Sequence, residues 1–297
     1  MSVPTIVDRQ LLRRRFARVA RRPGSDCGFL LARAIDDLDL RLSAVERRFG
    51  VALALSGFTP DLAERLAGSG KAETVFRMEP APELTGGGRF ATFVADEERL
   101  PLAPESVDLV VSALALQFVN DLPGALLQIR RALRPDGLFL ASLIGGETLH
   151  ELRRSFTQAE SELRGGAGPR FLPLADVRDL GGLLQRAGFA LPVADRDLVT
   201  VRYDTAFDLM HDLRAMGAAN MLADREKRPL RRDVLTAAAQ IYQEHFSDPD
   251  GRIRATFEII SLSGWAPHDS QQKPAARGSA QTSLVDVLGR KKHDEDG

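Results

Sequence analysis

The sequence has little of what disulfides, metal clusters and membrane spans require. It contains one cysteine, Cys27, among 297 residues, which excludes an internal disulfide and a cysteine metal cluster and favours a reducing compartment. Its apolar runs are far shorter than the roughly 20 residues that a transmembrane helix needs, and no secretory signal is visible. We therefore predict a cytoplasmic bacterial protein without a transmembrane segment.

An excess of one charge and closely spaced histidines are missing as well. The formal net charge is −1, so the charge balance does not point to nucleic acid as a partner. The five histidines stand in none of the short spacings that bind iron or zinc, and neither a P-loop nor a G-x-S-x-G elbow occurs. The sequence therefore predicts no metal site.

One short segment is strongly basic although the whole chain is not. Residues 9–22 carry seven arginines, while Leu12, Phe16 and Val19 are spaced to share one face of a helix. We interpret this segment as a helix that docks on the domain through its apolar face and turns its arginines to solvent. Two alternatives stay open: a helix at the inner face of the membrane, which would give peripheral membrane association, or a targeting segment.

Apolar runs alternate with amphipathic segments in the first half of the chain. Continuous apolar runs are typical of strands that are buried on both faces of a parallel sheet. The predicted strands are 51–55, 74–78, 90–94, 107–113 and 138–144, and helices are predicted at 61–66 and 122–133. The sequence Arg134-Pro135-Asp136-Gly137 then predicts a turn. The fold class is therefore α/β.

The second half of the chain has a different pattern. Helices are predicted at 148–163 and 176–187, a strand at 198–203, a helical block at 206–216 and 232–246, and a last strand at 256–265. We predict an N-terminal helical segment at 1–48, an α/β domain at 49–265 with a helical insertion at about 205–247, and a flexible tail at 266–297.

Acidic residues follow the second and third predicted strands. Ligands of open parallel sheets bind at the carboxyl ends of the strands, where an acid after the second strand accepts hydrogen bonds from ribose hydroxyls. Glu79 closes the second strand, and Asp96 and Glu97 follow the third. This arrangement is typical of methyltransferases that use S-adenosylmethionine (SAM).

The glycine loop that such enzymes place after the first strand is largely missing. Their usual pattern is Asp-Leu-Gly-x-Gly-x-Gly, whereas residues 54–60 read Ala-Leu-Ser-Gly-Phe-Thr-Pro and retain only Gly57, one place out of phase. We expect the Phe58 ring to occupy space near the cofactor and Pro60 to remove an amide donor. Loss of a charge-assisted contact would weaken SAM binding by about 1.5–3 kcal/mol.

Several longer segments resemble one known family. They are VADEERLP at 94–101, GGETLHELR at 145–153, MHDLRAMG at 210–217, ATFEIISLSGW at 255–265 and KPAARGSA at 273–280. With these segments the sequence is similar to the methyltransferase-like complex I assembly factors (assembly factor 5) and their bacterial relatives. Residues 107–122 are also similar to the malonyl-carrier-protein O-methyltransferases of biotin synthesis.

This resemblance implies a Rossmann-like class I methyltransferase fold, with a mostly parallel seven-stranded sheet, helices on both faces and a helical insertion before the last strand. It implies SAM as the cofactor. It also implies a role in maturing NADH-quinone oxidoreductase (complex I) by modifying a protein, with an iron–sulfur subunit or another protein as the partner. Arginine hydroxylation is the chemistry proposed for that family.

Candidate site residues follow from their positions after the strands and on the insertion. The cofactor-binding candidates are Ser56, Gly57, Glu79, Asp96, Glu97 and Ala113, and the substrate-pocket candidates are Gln117, Asn120, Tyr203, Met210 and Arg214. For the methionine and the tyrosine, packing in the core is the alternative. No residue is assigned as catalytic.

Two classes of function stay open at this stage. The first is a methyltransferase-family enzyme that binds SAM, which the acids after strands two and three favour. The second is a non-catalytic assembly factor that keeps the fold and a docking surface after losing SAM binding, which the altered glycine loop favours. A carrier-protein O-methyltransferase of biotin synthesis is a further alternative.

Overall fold

The structure, a computed structural model, describes residues 4–21, 28–87 and 90–272. Cys27 and the part of the predicted tail from residue 273 onward lie outside the described residues. Residues up to Pro267 belong to one compact unit, and His268 begins a second segment of which only a short turn is described. The division of the first unit into an N-terminal segment and a domain with an insertion stays a prediction.

A seven-stranded sheet runs through the centre of the first unit, in the order β3-β2-β1-β4-β5-β7-β6. The strands are β1 Phe49–Leu55, β2 Ala72–Glu79, β3 Ala91–Val94, β4 Val107–Ala113, β5 Leu133–Ile144, β6 Ala190–Tyr203 and β7 Ile253–Trp265. The first five are parallel, and β7 is antiparallel to both of its neighbours. The predicted mostly parallel sheet is confirmed.

Helices cover the sheet and connect its strands. They are α1 Arg9–Ala20, α2 Phe29–Ser43, α3 Asp61–Gly68, α4 Leu122–Ala132, α5 His150–Arg164, α6 Val177–Arg186, α7 Ala206–Ala215 and α8 Arg232–Phe246. Polar side chains fix several of their starts: Asp121, Asp176 and Thr205 each accept a hydrogen bond from the first turn of α4, α6 and α7. No helix in these described ranges is long and apolar enough to cross a membrane.

Two strands begin well before the residues at which the sequence predicts them. Strand β5 begins at Leu133, so the predicted turn at residues 134–137 lies inside it as an irregularity, where the pairing jumps from Val107–Leu133 to Leu109–Leu138. Strand β6 begins at Ala190 rather than at 198. It is an edge strand with exposed polar side chains, so its first half lacks the apolar run on which the prediction depends. There Asp195 and Asp197 bind arginines of α2, which no local pattern reveals.

The helical insertion packs against the carboxyl-terminal half of the sheet. Helices α7 and α8 share an apolar cluster with α5, β6 and β7, which includes Leu209, Tyr242 and Phe257. The Tyr242 hydroxyl donates a 2.8 Å hydrogen bond to the Arg254 carbonyl of β7. The insertion therefore lies beside the ends of the strands where a ligand of such a sheet would bind.

Candidate cofactor site and the adjoining cavity

The loop after β1 keeps a backbone shape that favours glycine, although its residues are not glycines. Ser56 has a φ of 50° and Phe58 a φ of 58°, both in the left-handed region. That region costs a residue with a side chain roughly 1–2 kcal/mol. The Ser56 amide donates a 2.9 Å hydrogen bond to the Met78 carbonyl, which holds the loop against the end of β2. Gly57 is buried between the two strained residues.

The Phe58 ring closes this loop from the outside. It stacks on Phe16 of α1 with ring centroids 3.7 Å apart and an interplanar angle of 5°, and Phe118 meets it edge-on at 6.4 Å. We call these three rings the aromatic cap. Leu12, Ala81 and Met221 pack around the cap in one apolar cluster. The ring that the sequence predicts near the cofactor therefore serves as the contact between the loop and α1.

Glu79 is in place at the end of β2, but it is fully buried beside an arginine. Its Oε1 accepts a 2.8 Å hydrogen bond from Arg77 Nε, and its Oε2 accepts one from the Phe58 amide at 3.2 Å. Arg77 also donates to the Leu84 carbonyl at 2.7 Å. Burial raises the pKa of Glu79 to about 7, against the opposing effect of the Arg77 guanidinium.

The two acids after β3 are held by arginines of α1. Asp96 accepts hydrogen bonds from Arg9 at 3.1 Å and from Arg13 at 2.6 Å, and Glu97 pairs with Arg9. Burial opposes ionisation of Asp96, but the Glu98 amide and the two arginines outweigh it and lower its pKa. One oxygen of Glu97, Oε1, is buried without a hydrogen-bond partner among the described residues.

The segment before α1 and the helix itself are anchored to two loops, at residue 120 and at residues 220–221. The Asn120 Oδ1 accepts hydrogen bonds from the Ile6 and Val7 amides at 2.7 and 2.8 Å. At the second loop, the Asp8 amide donates to the Met221 carbonyl at 2.9 Å, and Arg15 donates to the Asn220 carbonyl at 2.8 Å. Asn120 therefore binds the N-terminal segment instead of lining a substrate pocket.

An apolar cavity of about 370 Å³ lies next to the second loop, under the insertion. Gln117, Met210 and Arg214 are in its wall. The Gln117 side chain donates to the Leu114 carbonyl at 2.7 Å, and its buried Oε1 has no partner among the described residues. Other wall residues come from α5, α7 and the segments beside them, and include Leu152, Phe156, Phe171, Leu213 and Phe257.

The structure thus separates the predicted residues into three groups. Ser56, Gly57, Glu79 and Ala113 lie buried at the ends of β1, β2 and β4, and Asp96 and Glu97 lie under α1. Three of the five pocket candidates share the apolar cavity. Asn120 does not, and neither does Tyr203, which is buried in the core between β6, α7 and α8.

Sequence reasoning missed the arginines that contact these acids. One signal was present for Arg77, because residues two apart on a strand point to the same face, which places it beside Glu79. Arg9 and Arg13 are one helical turn apart and so share a face of α1. Nothing local shows that this face meets residues 96 and 97.

These residues do not fit SAM in the arrangement seen. The backbone of the loop and the acids after β2 and β3 are of the right kind. However, Arg77, Arg9 and Arg13 already bind the acids, and the Phe58 ring covers the loop. Neither the apolar cavity nor the two clefts beside α1 have Ser56, Gly57, Glu79 or Asp96 in their walls.

Comparisons with known proteins identify relatives of this chain. Residues 61–141 match the family described as "Methyltransferase domain". The chain is 47% identical over 204 residues to the arginine-hydroxylase NDUFAF5, mitochondrial, of Danio rerio, which covers 68% of this chain and 63% of that protein. It is 40% identical over 177 residues to the malonyl-[acyl-carrier protein] O-methyltransferase of Xylella fastidiosa (strain M23), which covers 60% and 58%. The chain thus spans less than two thirds of the length of these relatives.

A solved structure supports the fold. The YcgJ protein of Bacillus subtilis superimposes with a TM-score of 0.55 over 78% of this chain and 99% of that one, at 14% identity, which is evidence for the fold alone. Together with the sequence matches, this confirms the predicted fold and the predicted resemblance. The chain is a homologue of the NDUFAF5 proteins and, more distantly, of the malonyl-[acyl-carrier protein] O-methyltransferases, and it belongs to the class I SAM-dependent methyltransferase superfamily.

Proposed function

We propose that this chain acts in the maturation of NADH-quinone oxidoreductase (complex I), as a factor built on a SAM methyltransferase domain. The observation that carries the proposal is the 47% identity to an NDUFAF5 protein over 68% of the chain. An iron–sulfur subunit of complex I is the partner that this resemblance favours, and its modification is the reaction. The site of action is the cytoplasmic side of a bacterial membrane.

SAM, or a related nucleotide, is the cofactor in this proposal, and it binds after α1 moves away. The left-handed backbone at Ser56 and Phe58 supports such a site, as do the carboxylates of Glu79 and Asp96. Release of α1 would free Asp96 from its arginines and take Phe16 off the Phe58 ring. The bound form of the chain would then differ from the closed form in the position of one helix.

A second candidate function is a docking factor that does not bind SAM. We call the carboxyl ends of β1, β2 and β3, with the loop at residues 56–58, the cofactor edge. The observation that favours a docking factor is that all three acids at this edge are already paired with arginines of the chain. Glu79 is paired with a buried arginine, and Asp96 and Glu97 are paired with α1. A site kept for SAM would ordinarily leave such acids free to accept hydrogen bonds from the ligand.

Calorimetric titration of the full chain with SAM tests the cofactor. We expect saturable binding that the Glu79→Gln variant weakens by about tenfold, because a charge-assisted hydrogen bond is lost. The matched control is Glu73→Gln, an exposed acid on the same strand, and it should bind like the wild type. Absence of binding at millimolar SAM, both in the wild type and in Phe16→Ala, would favour the docking factor.

A genetic experiment tests the role in complex I. Deletion of the gene in the organism that encodes the chain should reduce the amount of assembled NADH-quinone oxidoreductase on native gels, and the wild-type gene should restore it. Restoration by Glu79→Gln as well would show that docking is sufficient. Normal assembly in the deletion strain would contradict the proposed function itself.

A further inference from the structure

The charged side chains in the wall of the apolar cavity are all positive. Its charged wall residues are Arg153, Arg170 and Arg214, and no carboxylate belongs to the wall among the described residues. Arg170 is neutralised because it pairs with Glu160 and Glu226. The other two arginines differ from it. Arg153 donates to the Gly146 carbonyl at 2.8 Å, and neither it nor Arg214 has a carboxylate partner in the described part of the chain.

A cleft of about 520 Å³ adjoins the cavity and adds to this positive charge. The two share Arg214 and Ala219, and the cleft is further lined by Arg15, Arg18 and His211. Burial lowers the pKa of Arg15, and the neighbouring Arg225 and Arg18 lower it further. Asp8 pairs with Arg225 and offsets part of this charge, but no carboxylate lines the cleft among the described residues, so an anion there would relieve the remaining repulsion.

A cationic ligand is poorly suited to this wall. A guanidinium or ammonium group entering the cavity would lose its hydration and meet only arginines among the charged residues. An apolar chain, by contrast, would pack against Leu152, Phe156 and Leu213, and a cavity of this volume lies within the range of about 300–1,000 Å³ that small-molecule sites occupy.

We propose that the cavity binds an amphipathic anion, with its apolar chain in the cavity and its carboxylate or phosphate head at Arg214 and Arg153. Arg15 and Arg18 attract the head from the adjoining cleft. The site goes beyond the proposed function, because it requires neither SAM binding nor a role in complex I. Carboxylate and phosphate heads share the chemistry that an unpaired guanidinium recognises.

Four probes with the same chain length separate the contributions of head and chain. Calorimetry of the full chain with decanoate, decyl phosphate, decanol and decyltrimethylammonium is expected to give binding of the two anions. Decanol should bind about tenfold more weakly and decyltrimethylammonium should not bind. Whichever of decanoate and decyl phosphate binds more tightly identifies the head that the site prefers. Equal binding of the ammonium probe and decanoate would overturn the proposal.

Substitutions locate the site. Arg214→Gln is expected to weaken decanoate by about tenfold and to leave decanol unchanged, whereas the exposed Arg131→Gln on α4 changes neither. Met210→Trp fills the cavity and should remove binding of all probes. Phe207→Trp, on the exposed side of the same helix, is its control. Thermal unfolding of each variant shows that it is folded, and unchanged decanoate affinity in Arg214→Gln overturns the proposal.

A membrane surface is the alternative that the experiment must exclude. Vesicles of phosphatidylglycerol and of phosphatidylcholine are added to the wild type and to Met210→Trp. If the cavity is the site, decanoate binds without vesicles and Met210→Trp loses it. Binding to anionic vesicles without any binding of monomeric decanoate would contradict the cavity and assign the arginines to a lipid surface.

Discussion

The cofactor edge and the apolar cavity are neighbours that share Phe118 and Met221, and they use arginines in opposite ways. At the cofactor edge, Arg77, Arg9 and Arg13 each contact a carboxylate, and the aromatic cap covers the loop. At the cavity, Arg153 and Arg214 have no acidic partner in the described chain. The first region is electrically balanced and closed, whereas the second is open and positive.

This difference indicates which of the two regions stabilises the fold. An arginine that is paired and buried is costly to change because its partner would remain buried without a counter-charge. An arginine without a partner on an open wall contributes little to stability, so its substitution reports on ligands. Mutations at the two regions should therefore have opposite signatures: loss of stability at the first and loss of binding at the second.

The largest effect on stability is expected at the buried pair. Arg77→Met should lower the free energy of unfolding at pH 7.5 by about 3–5 kcal/mol, because Glu79 is then buried without its partner. Urea unfolding measures this, with the exposed Arg131→Met as the control. A loss of less than about 1 kcal/mol would show that the cofactor edge does not depend on the pair.

The second-largest effect on stability is expected from the pH dependence of Glu79 ionisation. Its pKa is raised from 4.5 to about 7 in the fold. As the pH rises through this window the unfolded chain loses the proton first, so the stability that the group contributes is full below pH 4.5 and declines until about pH 7. As the pH rises across this window, the free energy of unfolding of Glu79→Gln should increase by roughly 3 kcal/mol relative to that of the wild type.

Urea unfolding at pH 4.5, 6 and 7.5 measures that gain, over the range that the pKa of Glu79 defines. Glu73→Gln, exposed on the same strand, should show no such change. A constant difference between Glu79→Gln and the wild type at all three pH values would mean that Glu79 stays ionised beside Arg77 throughout.

A smaller effect is expected when the aromatic cap is opened. Phe58→Gly removes the ring that stacks on Phe16 and suits the left-handed φ of 58°. SAM affinity should rise by about tenfold, or about 1.4 kcal/mol. Phe58→Leu keeps apolar bulk at the same place and should leave the affinity low, so equal affinities of the two variants would rule out the ring as the obstacle.

The smallest effect is expected at the partly exposed pair between Arg13 and Asp96. The side chains retain 35% and 31% of their exposure, so solvent screens the attraction. Arg13→Gln should cost about 0.5 kcal/mol of stability at low salt and nothing in 1 M salt. The exposed Arg131→Gln on α4 should cost nothing at either salt concentration, and thermal unfolding distinguishes the two variants.

The sequence was sufficient to predict the parallel strands, because a run of apolar residues indicates a strand that is buried on both faces. All five parallel strands lie at the apolar runs that predict them, and only residue 90 of the predicted third strand falls outside the observed bounds. The starts of β5 and β6 were missed. Residues 134–137 have the composition of a turn, and Asp195 and Asp197 at an edge strand have that of a loop until their contacts with α2 are known. The predicted apolar face of α1 also buries Leu12 and Phe16.

The candidate site was predictable only in part, because it depends on contacts between distant segments. Glu79 and Asp96 follow from strand order, but their arginine partners do not, with the exception of Arg77 two residues away from Glu79. Phe58 was expected near the cofactor, whereas its stacking on Phe16 requires knowledge of where α1 docks. The apolar cavity unites residues of α5, α7 and the loops beside them, whose separate patterns resemble ordinary core helices.

The anchoring of α1 has a consequence for the speed of folding. Arg225 donates a hydrogen bond to Asp8, which lies 217 residues away in the sequence, and Arg9 contacts Asp96 and Glu97. Closing such long loops costs chain entropy before the contacts form, so contacts of this range slow folding. The closed form of the cofactor edge therefore depends on some of the long-range contacts that a folding chain makes slowly.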